Sequence, residues 1–262
     1  MLANGKQGET PTGGADMARI GPFAIARLNL RDAVSLVRTS VQQREQLDIA
    51  ICNAHTVLTA LDNPDYANTL QKMTLLNDGI GINLASRLLD GRPFPANLNG
   101  TDLVPNILAG VGIPMRIYLL GAREEQVRGA KQHIEARYPD HQVVGCRDGF
   151  FREEDVAGLC AEINATRPDL LLVAMGNPRQ EFFIARNRAQ LNVPVAVGVG
   201  ALFDFMSGAV VRAPAFVRKA GLEWLFRLLQ EPRRLFHRYV IGIPRFLFAV
   251  ARFKYGRSEK SA

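Results

Sequence analysis

Five short runs of this chain are apolar at nearly every position: DIAIC (48–52), MRIYLLG (115–121), QVVG (142–145), DLLLVAMG (169–176) and VPVAVGVG (193–200). A strand with one wet face alternates apolar and polar residues, so runs that are apolar throughout belong to a sheet covered on both sides. Amphipathic stretches separate them: NPDYANTLQKM from Pro64, GINLASRLL (81–89), TDLVPNILAGV (101–111, capped by Thr101), AREEQVRGAKQHIEARY, residues 153–166, and PRQEFFIARNRAQL. Strand–helix alternation of this kind gives a parallel sheet with crossover helices. The expected fold is α/β: a Rossmann-like core over residues 18–211, its mostly parallel sheet flanked by helices. Ligands of such sheets bind beyond the carboxyl ends of the strands. Those ends carry Asn53, Gly121, Gly145, Gly176 with Asn177, and Gly198 with Gly200. Small residues there let a ligand approach backbone N–H groups, although each glycine alone reads equally well as a turn residue.

The two ends of the chain differ from this core. Residues 1–17 are polar and Gly-rich without an apolar segment, the composition of a disordered leader rather than a signal peptide. Between Arg212 and Arg257 stand eleven Lys/Arg and two Asp/Glu, a net charge of +9 in a chain whose total is +7. Residues 212–257 therefore read as a basic, amphipathic helical appendage for an anionic partner. No apolar run reaches the roughly 18 residues of a membrane-spanning helix; the longest, Tyr239–Val250, is cut by Pro244 and Arg245. Three scattered cysteines, Cys52, Cys146 and Cys160, argue against a disulfide framework or a zinc site and for a reducing compartment.

Three motifs sit where chemistry is expected. In LLNDGIGI (75–82), Asn77 and Asp78 stand between an apolar pair and a helix. Asp78 is either a helix N-cap or a carboxylate facing the cleft as a general base. In GNPRQE (176–181), Pro178 suits a first helical turn and the exposed N–H groups favour an anion such as a diphosphate. Arg179 and Gln180 would add donors there, and Glu181 would complement the helix dipole. In GVGALFDFMSG (198–208), Phe203 stands where a dinucleotide fingerprint needs its third glycine, which disfavours a nicotinamide enzyme. Asp204 in that stretch suits a ribose hydroxyl or a satisfied loop carboxylate. His55, His133, His141 and His237 lack ligand spacing, and no paired-aspartate metal motif is present.

Together NAHTVLTA, NDGIGI, NGTDL, PDLLLVAMGNPRQE, VGVGALFDFMSG and GLEWLFRLLQEPRR occur in the order that marks the WecG/TagA/CpsF glycosyltransferases, and the chain resembles that family over residues 20–240. Within it the chain looks most similar to GumM-type exopolysaccharide glucosyltransferases. The resemblance implies metal-independent, inverting transfer of a sugar, glucose in that subfamily, from a UDP-sugar to a polyprenyl-diphosphate-linked acceptor. UDP-N-acetylmannosamine or its uronate is the alternative donor. It implies Asp78 as base and Gln180 as a second catalytic residue. The donor then lies among Asn53, Asn77, Gly121, Gly176, Asn177, Gly198 and Asp204. Arg212, Arg227, Arg234 and Arg238 would bind diphosphate, which suits arginine's planar fork. Asn97 stands where some relatives carry arginine. Peripheral attachment to the cytoplasmic face of the membrane follows, with Phe226, Phe236, Phe246, Leu247, Phe248, Val250 and Phe253 for acyl chains and Arg245, Arg252, Lys254 and Arg257 for anionic headgroups. The rival for such a tail is a nucleic-acid-binding module, disfavoured by the apolar residues between its arginines. An oligomer is compatible with all of this.

Overall fold

The computed structural model describes residues 16–214, 216–217 and 222–258, with the backbone alone at Arg234, Arg257 and Ser258. It opens with two strands that carried no clear sequence signal, β1 (Met17–Ile20) and β2 (Phe23–Ala26), paired antiparallel through a turn at Gly21 and Pro22. The expected leader is corrected at its boundary: Met17 is already in β1, and residues 1–15 lie outside the described residues. The chain continues through α1 (Leu30–Gln43), β3 (Leu47–Cys52), α2 (Ala54–Asp62), α3 (Pro64–Gln71), β4 (Thr74–Asn77), α4 (Gly79–Asp90) and α5 (Gly100–Gly110). There follow β5 (Arg116–Gly121), α6 (Glu124–Arg137), β6 (Gln142–Arg147), α7 (Val156–Ala165), β7 (Leu170–Ala174), α8 (Arg179–Asn187), β8 (Val195–Gly198) and α9 (Leu202–Met206). All the expected runs form strands, within two or three residues of their expected ends.

The eight strands lie in the order β1-β2-β4-β3-β8-β7-β5-β6, and every pairing except β1 with β2 is parallel. One apolar layer joins the sheet to α2, α3, α4, α7 and α8; the other joins it to α1, α5, α6 and α9. The neighbours β3 and β8 thus send their following helices, α2 and α9, to opposite faces. Ligands of open sheets bind at the carboxyl ends of such a strand pair. One cap differs from expectation. Asn99, not Thr101, caps α5: its Oδ1 accepts the N–H of Asp102 at 2.9 Å, and the Thr101 hydroxyl donates to the same oxygen.

Beyond α9 the basic segment forms α10 (Glu223–Gln230), α11 (Pro232–Phe236), a π-helical turn (His237–Ile241) and α12 (Gly242–Ser258). Pro232 starts a new helix, as its missing N–H dictates. The last helix returns to the core and packs on α2 and α4. Phe246 and Val250 are buried in the same apolar layer as α2 and α4, and Phe253 packs against that layer. This corrects their assignment to acyl chains: burying a side chain of this size is worth about 1.5–3 kcal/mol, which holds the helix on the protein. Arg245 is corrected likewise, because its guanidinium donates to Asp62 of α2 at 2.8 Å and lowers that carboxyl's pKa. The Arg257 side chain lies outside the described residues. Among the described residues no helix is long and apolar enough to cross a membrane.

Candidate active site

Asp78 follows β4 and occupies the N-cap position of α4, yet its side chain makes no cap hydrogen bond. Asn97 does that work from the next loop, its Oδ1 accepting the N–H of Gly79 at 2.8 Å. The capping reading of Asp78 is therefore not met. Asn53, at the end of β3, donates from Nδ2 to Asp78 Oδ2 at 3.2 Å, while its own Oδ1 accepts the N–H of Thr56 at 3.1 Å and caps α2. Burial pushes the Asp78 pKa up; the Asn53 hydrogen bond and the charges of Arg238 and Arg227 pull against it, and Asp102 adds to the rise. A carboxyl raised in this way is a stronger proton acceptor than an ordinary aspartate. Asn77 lies beside it, buried, its Nδ2 donating to the Ala96 carbonyl at 2.8 Å and its Oδ1 without a partner.

The GNPRQE turn behaves differently from its sequence reading. Gln180 and Glu181 are 1% and 0% exposed. Gln180 Oε1 accepts the N–H of Gly176 at 3.2 Å and of Gly200 at 3.0 Å, and its Nε2 donates to Glu181. Its amide fastens the β7 and β8 end loops together, a contact its sequence reading did not foresee. Glu181 is not a surface partner of the helix dipole. Its carboxylate accepts from Tyr66 Oη at 3.1 Å, Asn177 Nδ2 at 2.8 Å and Gln180 Nε2 at 2.7 Å, and desolvation raises its pKa to about 7 against those bonds. Arg179 reaches the Gly149 carbonyl at 3.2 Å.

Two of the strand-end glycines answer to packing. A Cβ at Gly198 would sit 2.7 Å from Gln180 Nε2, and one at Gly121 would sit 2.4 Å from the Ala174 carbonyl oxygen. Their bareness is used by the protein itself. Asp204 is half-buried in the first turn of α9.

From the other end of the chain come the arginines. The Arg227 guanidinium lies 5.2 Å from the Phe205 ring centroid, and Arg238 stands over Tyr239 at 5.7 Å. Both lie near enough for their charges to act on Asp78, and burial, then Arg238 and His237, lower the pKa of the partly buried His55. Arg212 instead ties the tail to α5, paired with Asp102 at 2.7 Å and Glu223 at 3.6 Å and donating to the Thr101 carbonyl at 3.2 Å. The Arg234 side chain lies outside the described residues. Sequence reasoning passed over His55, Tyr66 and the structural work of Asn97; only His55, two positions after Asn53, had a positional signal. Among the described residues no group of three His, Cys, Asp or Glu side chains is placed to hold a metal ion.

At the carboxyl ends of the strands stands a half-buried carboxylate on which the charges of two arginines act. Residues 18–260 match the model of the Glycosyl transferase WecG/TagA/CpsF family. The chain belongs to this family. It is 34% identical over 218 residues to the N-acetylglucosaminyldiphosphoundecaprenol N-acetyl-beta-D-mannosaminyltransferase of Bacillus spizizenii, across 82% of each chain. To the enzyme of the same name from Bacillus subtilis it is 30% identical over 212 residues, covering 80% of this chain and 81% of that one.

Proposed function

We propose that this glycosyltransferase moves N-acetylmannosamine from its UDP-linked form to N-acetylglucosamine carried on a polyprenyl diphosphate, inverting the anomeric carbon. The names of both relatives support this donor and acceptor, and they favour it over glucose transfer for an exopolysaccharide. One observation carries the mechanism: the Asp78 carboxyl is half-buried, relieved of capping by Asn97, held by Asn53, and acted on by the charges of two arginines from the tail. Asp78 takes the proton of the acceptor hydroxyl as that oxygen bonds to the anomeric carbon. The bond from that carbon to the UDP oxygen breaks on the opposite side, and the electron pair leaves with UDP. Arg227 and Arg238 stabilise the charge that develops, the role a metal ion plays in other transferases. Asn177 stands on the donor side, next to the β7 and β8 end loops that Gln180 fastens together. The enzyme works as a peripheral protein at the cytoplasmic membrane surface, where its acceptor resides.

The test is direct. The enzyme is incubated with lipid-linked N-acetylglucosamine and either UDP-N-acetylmannosamine or UDP-glucose, and products are resolved by mass. Addition of an N-acetylhexosamine from the first donor alone supports the reading; addition of a hexose from the second restores the glucose alternative.

A further inference from the structure

Helix α4 carries apolar side chains on its outer side as well as its inner one. Ile82 and Ala85 are buried, while Ile80, Leu84 and Leu88 are 62%, 42% and 44% exposed. Their spacing of four places them on one stripe, about 12 Å long at 1.5 Å per residue, that begins two positions beyond Asp78. Helix α12 runs alongside. Phe246 lies against Gly81 near the start of α4, and Phe253 against Gly21 in the hairpin turn. Arg19, just before that turn, donates its backbone N–H to Asp90 at the far end of α4. The two helices therefore lie side by side and point the same way. On its open side α12 adds Leu247, Phe248 and Tyr255, which are 40%, 66% and 73% exposed. Exposed cations stand among them: Arg87 on α4, and Arg252 and Lys254 on α12. The acids beside them are paired: Asp90 of α4 with Arg27 at 3.2 Å, and Asp62 of α2, which lies beside Phe248 and Arg252, with Arg245 of α12 at 2.8 Å; the α12 sequence itself contains none. A single exposed leucine is ordinary, but six large apolar side chains on two adjacent helices, with cations between them, mark an interaction surface.

We infer that α4 and α12 together form a face that docks on an anionic lipid bilayer, holding the start of α4, and with it Asp78, at the interface. Charge decides the occupant. A second copy of this chain would bring the same cationic face to a two-fold contact, whereas anionic headgroups neutralise it and the acyl region takes the apolar side chains. The inference rests on the proposed lipid-linked acceptor for its purpose and goes beyond a tail anchor in two respects. It assigns part of the membrane contact to a helix from the middle of the chain. It also orients the enzyme, so that the acceptor sugar need rise only to headgroup depth to reach the base.

The full chain carrying Leu84→Ser and Leu88→Ser tests this, because both side chains are partly exposed and the core keeps its residues. Truncating α12 would not serve, since Phe246 and Val250 belong to the core. Sedimentation with phosphatidylcholine vesicles containing phosphatidylglycerol should show on the order of tenfold weaker binding than the unaltered chain. Thermal unfolding and turnover on a short-chain, water-soluble acceptor should be unchanged. Leu247→Ser with Phe248→Ser should weaken vesicle binding to a similar degree. If the α4 variant binds these vesicles as the unaltered chain does, the inference is overturned. It is equally overturned if that variant converts a dimer to a monomer by light scattering with vesicle binding intact, which would make the face a contact between copies. Absence of sugar transfer alongside normal vesicle binding would instead remove the proposed function and leave the membrane face standing.

Discussion

The base proposed here, Asp78, can act only when deprotonated, and its environment raises its pKa, so activity should fall on the acid side at a higher pH than an ordinary aspartate would dictate. Of the influences on it, the Asn53 hydrogen bond lowers the pKa. Asn53→Ala should therefore move the acid limb of the kcat/KM profile to higher pH, which a pH–rate series reads directly; a limb that stays put would separate Asn53 from the base. Asp78→Asn should cost roughly 10²–10⁴-fold in turnover while UDP binding, followed by calorimetry, is largely retained. Near-normal turnover in that variant would remove Asp78 from the mechanism. Glu181 carries a second pH signature. Its folded pKa of about 7 stands above its ordinary 4.5, so the folded protein holds this proton more tightly than the unfolded chain. The stability it lends is present in acid and lost as pH rises through that window. Denaturant midpoints measured across the same range should fall more steeply for the unaltered chain than for Glu181→Gln.

At the level of elements, the sequence disclosed most where a strand was apolar throughout. β3, β5, β7 and β8 are buried on both faces, and their runs admit no other period. β1 and β2 were illegible because each has four residues, and Arg19 with its neighbours gives no run to recognise. The site was legible as positions rather than as contacts. Asp78 and Asn53 stand at strand ends that any parallel sheet would expose, but no spacing reveals that Asn97 caps α4 or that Gln180 turns inward to join two loops. Those facts depend on which loops become neighbours, and strand order decides that. The last helix was misread in part because a core-facing phenylalanine and a lipid-facing one have the same composition. Phe246→Ala should cost about 3–5 kcal/mol of unfolding free energy, whereas Phe248→Ala, on the open side, should cost under about 1 kcal/mol. Denaturant unfolding of the two variants distinguishes a helix that belongs to the core from one that merely trails behind it.

For the molecule as a whole, leaving-group stabilisation is assigned to arginines, so transfer should persist in EDTA. Loss of activity in chelator with recovery on added magnesium would transfer that role to a metal. Arg227→Ala should lower turnover while sedimentation with anionic vesicles hardly changes, since Arg227 is not among the cations of the α4–α12 face and surface attraction acts only on cations near the headgroups. The positions involved have a further consequence. Asp78 and Asn53 lie in the first third of the chain, and the cations that act on Asp78 lie in its last fifth. A ribosome finishes the strands of the sheet well before it releases Arg227 and Arg238. On the proposed mechanism, a nascent chain thus presents Asp78 before the cations that would let a diphosphate depart, and chemical competence waits on the helices that follow the sheet.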